Sequence, residues 1–127
     1  LFGLVGSEMC IRDSPKIEKV FFPGNDKRHK EIAEKQMDGF GGMMSFVIDS
    51  DINGVKTFLK NLNLFTLAES LGGVESLIEH PAIMTHASID PSIREKLGIS
   101  ETLLRISVGI EDVDDLISDL DQALSKI

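Results

Sequence analysis

Apolar positions along this chain fall into two patterns, short dense runs and spaced stripes, and each pattern predicts a different element. Lys16 to Phe22 alternates loosely and reads as a strand, closed by the turn chemistry of Pro23-Gly24-Asn25-Asp26. Lys27 to Met37 is polar, with Ile32 and Ala33 as its apolar contacts, and predicts a surface helix. Three glycines between Asp38 and Gly42 lead into Met43 to Ile48, a short apolar run that reads as a buried strand. Asp49-Ser50-Asp51 can cap a helix whose stripe is Val55, Phe58, Leu59 and Leu62. Leu64 to Leu67 predicts another short strand, which runs into Glu69, Ser70 and the pair Gly72-Gly73. Val74, Leu77 and Ile78 then have helical spacing, so Val74 to His80 predicts a helical turn or two ending at Pro81.

Beyond Pro81 the reading is irregular or extended until Pro91 to Leu97, a short helix with Pro91 in its first turn and Gly98 past its end. Leu103 to Val108 alternates strictly, with Leu104, Ile106 and Val108 on one face and Leu103, Arg105 and Ser107 on the other. Glu111 to Lys126 is the clearest helix, with a stripe of Val113, Leu116, Ile117, Leu120 and Leu124. Its acidic residues gather at the N-terminal end, where the helix dipole favours them. Four strand-like and four helical runs joined by short connections predict an α+β sandwich, with helices on one face of a mostly antiparallel sheet. Residues 1–14 lack clear periodicity and read as an unassigned segment, either an artefact or a divergent helix end; residues 15–127 form the predicted domain.

Composition narrows the function classes. A chain of 127 residues is long enough to bury one core. The net charge of −8 disfavours nucleic acid and anionic membrane as partners. No apolar run reaches the length of a membrane span, and Leu1 to Gly6 lacks the basic start of a signal peptide. A single Cys10 allows no internal disulfide, which fits a reducing, cytoplasmic setting.

Candidate chemistry is sparse. Arg105 offers a planar fork of donors that matches a carboxylate, although from chemistry alone it fits an exposed arginine on a sheet edge equally well. Ser70 and Glu69 stand before a glycine turn, where they suit a ligand site or an ordinary turn. His80 and His86 are six apart across Pro81, which is not a helical metal pair, and His29 sits among charges; we expect no metal site. Asp112, Asp114 and Asp115 are read as helix N-terminal charges, and Met37, Met43 and Met44 as core filling.

Four blocks carry a resemblance. Thr66 to Leu77 (TLAESLGGVESL), Pro81 to Ser88 (PAIMTHAS), Leu104 to Asp112 (LRISVGIED) and Gly39 to Phe46 (GFGGMMSF) resemble, in order, the C-terminal domain of the Cys/Met-metabolism family of pyridoxal phosphate (PLP) enzymes. The match runs from about Val20 to the C-terminus, and the wording is similar to the cystathionine γ-lyases and γ-synthases within that family. The resemblance implies the small domain of a fold-type I PLP enzyme and transsulfuration chemistry at Cγ of cystathionine, in a homotetrameric parent. Arg105 is implied to hold the substrate α-carboxylate. Ser70 and the backbone of Leu71 would lie beside the cofactor lysine and the substrate. Glu69 would face the distal amino group of cystathionine, and methionine-specific relatives usually lack it. The family's cofactor lysine and ring-stacking aromatic residue belong to a preceding large domain, and this chain has no Tyr and no Trp. The resemblance therefore implies a C-terminal fragment that is inactive alone. A non-catalytic interaction module is the alternative from a different class.

Overall fold

The computed structural model describes residues 2–127, with side chains from Gly6 onward; Leu1, at the start of the unassigned segment, lies outside the described residues. The elements follow in the order α1 (Phe2–Asp13), β1 (Ile17–Phe21), α2 (Lys27–Gln36), β2 (Met43–Ile48), α3 (Ile52–Asn61), β3 (Thr66–Leu67), β4 (Leu77–Glu79), α4 (Pro91–Lys96), β5 (Leu103–Ser107) and α5 (Val113–Leu124). The five strands form one sheet in the order β1-β2-β5-β4-β3. Three of its four pairings are antiparallel, and β3 runs parallel to β4. This is the α+β layout that the periodicity predicts.

One sheet face makes the core. Met44, Phe46 and Ile48 of β2, Ile78 of β4, and Leu104 and Ile106 of β5 are buried together. Val55 and Phe58 of α3 and Leu116, Leu120, Ala123 and Leu124 of α5 cover them. Phe46 and Phe58 meet edge to face with ring centroids 6.2 Å apart, a favoured arrangement for two quadrupoles. α1 packs along α5 and against β1 and β2, and its Ile11 is fully buried in the same core. α2 stands apart: only Ala33 is buried, in keeping with its polar sequence.

Capping follows the sequence closely. Asp26, Asp51 and Asp112 each accept a backbone N–H from the first turn of α2, α3 and α5 respectively. The last stripe contains one polar residue that the helix pattern hides. Asp119 is buried on α5, and its carboxylate accepts the backbone N–H groups of Asn63 (2.8 Å), Leu64 (2.8 Å) and Phe65 (3.3 Å). It thereby ties the corner between α3 and β3 to α5, using donors that would otherwise be orphaned.

The stretch from Val74 to His80 departs from the helical turn that its spacing predicts. It is not helical: Leu77–Glu79 is strand β4, buried at every residue, while Val74 is exposed. The spacing of Val74, Leu77 and Ile78 mimicked a helix because a strand buried on both faces carries no alternation.

Candidate functional site

Arg105 sits at the middle of the sheet. β5 is flanked by β2 and β4, and Arg105 faces Ser45 on one side and Glu79 on the other. That position removes the sheet-edge alternative. Side chains alternate along a strand, so Arg105 shares its face with Leu103 and Ser107, opposite the helix-covered core. Its side chain is 27% exposed, and its Nη2 lies 2.6 Å from Oε2 of Glu79, whose side chain is 1% exposed.

The loop 68–76 is brought against the same face. β3 and β4 run parallel, so the chain must travel back past the sheet between them. Because each strand is short, a brief loop suffices. Gly72 makes the turn with φ +75°, a left-handed conformation that disfavours a side chain. Its N–H donates to Oγ of Ser107 at 2.8 Å. Ser107 is two residues from Arg105, so the loop is pinned about 7 Å along β5 from the guanidinium-bearing residue. Glu69, Ser70 and Leu71 are all exposed on that loop.

A second clasp holds the end of the loop. The N–H of Ser76 donates to Oε1 of Glu111 (2.7 Å), its hydroxyl donates to Oε2 (2.8 Å), and the same hydroxyl accepts the N–H of Gly109 (2.9 Å). The N–H of Ile110 donates to the carbonyl of Val74 at 2.9 Å. Burial pushes the Glu111 carboxyl up, but hydrogen bonds from the backbone and hydroxyl of Ser76, and from its own backbone, outweigh it and hold the group below the ordinary glutamate range. Gly109 is required by contact rather than by conformation: a Cβ there would lie 2.3 Å from the carbonyl oxygen of Val74.

Of the residues singled out from sequence, Arg105 lies on this face of β5, and the loop that carries Glu69, Ser70 and Leu71 is tied to the same face at Gly72. The histidines lie elsewhere. Nε2 of buried His80 bonds the Glu101 carbonyl at 2.6 Å, His86 bonds its neighbour Thr85, and His29 pairs with Asp26. A cavity of about 780 Å³ between β1 and α2, lined by Phe21, Phe22, Ile32 and Met37 among others, includes none of the predicted site residues. Sequence reasoning passed over Glu79, Ser76 and Glu111. The available signal for Glu79 was a carboxylate directly after the apolar pair Leu77-Ile78 and before a proline two residues on.

Comparison with known proteins gives the family. The family model for Cys/Met metabolism PLP-dependent enzymes matches residues 9–125. The chain is 55% identical over 118 residues to a cystathionine γ-lyase of Dictyostelium discoideum, covering 91% of this chain and 30% of that protein. It is 55% identical over 117 residues to a cystathionine β-lyase of Lactococcus lactis, again covering 91% of this chain and 30% of the relative. Among solved structures, cystathionine γ-synthase from Xanthomonas oryzae pv. oryzae, in complex with aminoacrylate and cysteine, superimposes with a TM-score of 0.88 at 42% identity, covering 98% of this chain and 33% of that one. Cystathionine γ-lyase from Lactobacillus plantarum, complexed with L-serine, gives the same TM-score and identity over 99% of this chain and 34% of that one. The chain thus spans about a third of the length of the relatives it matches, and it belongs to the Cys/Met metabolism PLP-dependent enzyme family.

Proposed function

We propose that this chain is the C-terminal domain of a transsulfuration enzyme acting at Cγ of cystathionine, and that its part is to hold the substrate. The observation that carries the reading is Arg105, a guanidinium fixed on the central strand with one face left partly open. Glu79 meets only Nη2, and the other N–H donors of the guanidinium can take an α-carboxylate. A rigid strand holds such a group more accurately than a loop, and orientation of the scissile bond depends on that accuracy. Ser70 and the backbone of Leu71 would line the same site from the loop 68–76, and Glu69 would meet the distal ammonium of cystathionine as a charge partner. None of the three side chains is buried, so each is open to a ligand.

The family implies pyridoxal phosphate, which supplies an electron sink for chemistry at the substrate carbons. This chain's own residues do not suit its anchor. No lysine occurs between residues 61 and 95 or between 97 and 125, the segments that build the loop, β4 and β5. What this domain offers is recognition of an amino acid: a fork for one end, a carboxylate for the other, and a loop pinned between them.

The same proposal makes residues 15–127, with α1 packed on their core, part of one domain of a homotetrameric cytoplasmic enzyme. Its partners are a small amino acid and the large domain that carries the cofactor. No nucleic acid or membrane enters. Among the described residues, no helix is long and apolar enough to cross a membrane.

The test is product analysis with the full-length, PLP-loaded enzyme carrying this segment and L-cystathionine as substrate. Cleavage at Cγ yields cysteine, 2-oxobutanoate and ammonia, and this is the expected result. Homocysteine and pyruvate would assign the β-lyase activity named for the Lactococcus relative instead. Net formation of cystathionine from cysteine and an activated four-carbon amino acid, without cleavage, would assign the γ-synthase reading. The purified 127-residue chain is expected to release none of these products.

A further inference from the structure

Glu79 and Arg105 stand directly opposite one another in the antiparallel β4–β5 ladder. The carboxylate is almost completely removed from water. Neither of its oxygens has an aligned hydrogen-bond partner, and Arg105 is its sole charge partner among the described residues. Leu77, Leu103 and Ser107, on the same face, are buried around it. Stability does not explain this arrangement. A buried ion pair repays its desolvation poorly, and an apolar residue of similar volume commonly serves the fold as well. A long arginine side chain with several rotatable bonds would otherwise sample many directions. The ladder fixes the two Cβ atoms about 5 Å apart. The carboxylate then takes Nη2 and leaves the other N–H donors of the guanidinium without a charge partner among the described residues.

We infer that Glu79 is the positioning residue for Arg105: its buried carboxylate sets the direction of the guanidinium so that the remaining donors meet a substrate carboxylate without first being ordered. The inference rests on the reading of Arg105 as the substrate-carboxylate fork. It assigns Glu79 a role exerted through Arg105, with no contact to substrate. Ordering the fork in advance spares the cost of immobilising it at the moment of binding.

The experiment compares two probes without a leaving group at Cγ, L-norvaline and L-norvalinamide, in which a carboxylate is replaced by a neutral amide. Their dissociation constants are measured by titration calorimetry on the full-length, PLP-loaded enzyme. The amide-to-acid ratio of Kd isolates what the fork contributes and is insensitive to the fraction of active protein, since both probes are read on one preparation. In the wild type the acid binds about tenfold to a hundredfold tighter, the range for a hydrogen bond to a charged group. Glu79→Leu lowers that ratio by about fivefold or more, and Glu79→Gln, which keeps the length and one acceptor oxygen, lowers it by a smaller factor. Arg105→Gln brings the ratio close to one. If Arg105→Gln lowers the ratio while both Glu79 variants leave it unchanged, the positioning role is wrong and the reading of Arg105 stands. If Arg105→Gln leaves the ratio unchanged, the fork itself is misassigned. Should Glu79→Leu fail to fold, Glu79→Gln decides alone: an unchanged ratio overturns the inference.

Discussion

Gly109 illustrates how much a single position can hold. It has no left-handed backbone to explain it, yet a Cβ would sit 2.3 Å from the Val74 carbonyl oxygen and 2.6 Å from the Glu75 carbonyl carbon. Both are backbone atoms, so the strain cannot be relieved by turning a side chain. Gly109→Ala should therefore destabilise the domain by about 1–3 kcal/mol, as overpacking does, in urea unfolding of the purified chain. The neighbouring Gly72 differs in kind. Its φ of +75° calls for glycine, but a Cβ there would meet nothing within 4 Å. The sequence drew attention to Gly72 through its pairing with Gly73. Gly109 gave no such sign, because what makes it necessary lies more than thirty residues away in the chain.

Among elements, the decisive contact is the clasp between the loop 68–76 and the approach to α5. Ser76 spends both its N–H and its hydroxyl on Glu111. Glu111 carries a carboxyl held below its ordinary value in the folded chain, with burial opposing and the hydrogen bonds from Ser76 and its own backbone prevailing. The sign follows from linkage: the unfolded chain binds a proton more readily, so the clasp contributes fully above the ordinary glutamate value and loses its contribution as the pH falls through the depressed one. Glu111→Gln should cost about 1 kcal/mol near neutral pH, a modest figure because the group is partly solvated. The gap between variant and wild type in thermal or urea unfolding should narrow on acidification from pH 6 to pH 3. A gap that is constant over that range would show that Glu111 does not act as an ionised acceptor.

For the molecule as a whole, the notable surface surrounds the loop. Leu71 is 53% exposed, Val74 67% and Ile110 83%, and Val74 and Ile110 are joined by a backbone hydrogen bond. Apolar groups gathered in this way next to a proposed substrate site mark a surface made for contact. The purified 127-residue chain is accordingly expected to self-associate in sedimentation velocity at micromolar concentration. Ile110→Glu should shift it toward the monomer, whereas a substitution on the polar face of α2, such as Lys30→Glu, should not. Equal association of Ile110→Glu and the wild type would place the contact elsewhere.

Most of the architecture was legible along the chain. Stripes at Val55 and Phe58 and at Leu116 and Leu120, caps at Asp51 and Asp112, and alternation through Leu104 and Ile106 are local signals, written within one or two turns or a few strand residues. Arg105, Ser70, Leu71 and Glu69 stand out as candidates along the chain because the motifs carrying them are contiguous. What could not be read was pairing across distance. β4 mimics a helix because it is buried on both faces of the sheet, which erases the strand periodicity. Asp119 looked like one polar residue in a stripe until the donors of residues 63–65 were found to converge on it. Glu79 and Arg105 are far apart in sequence and acquire their relation from the β4–β5 register. Local pattern records which way a side chain faces; what it faces is a property of register and packing.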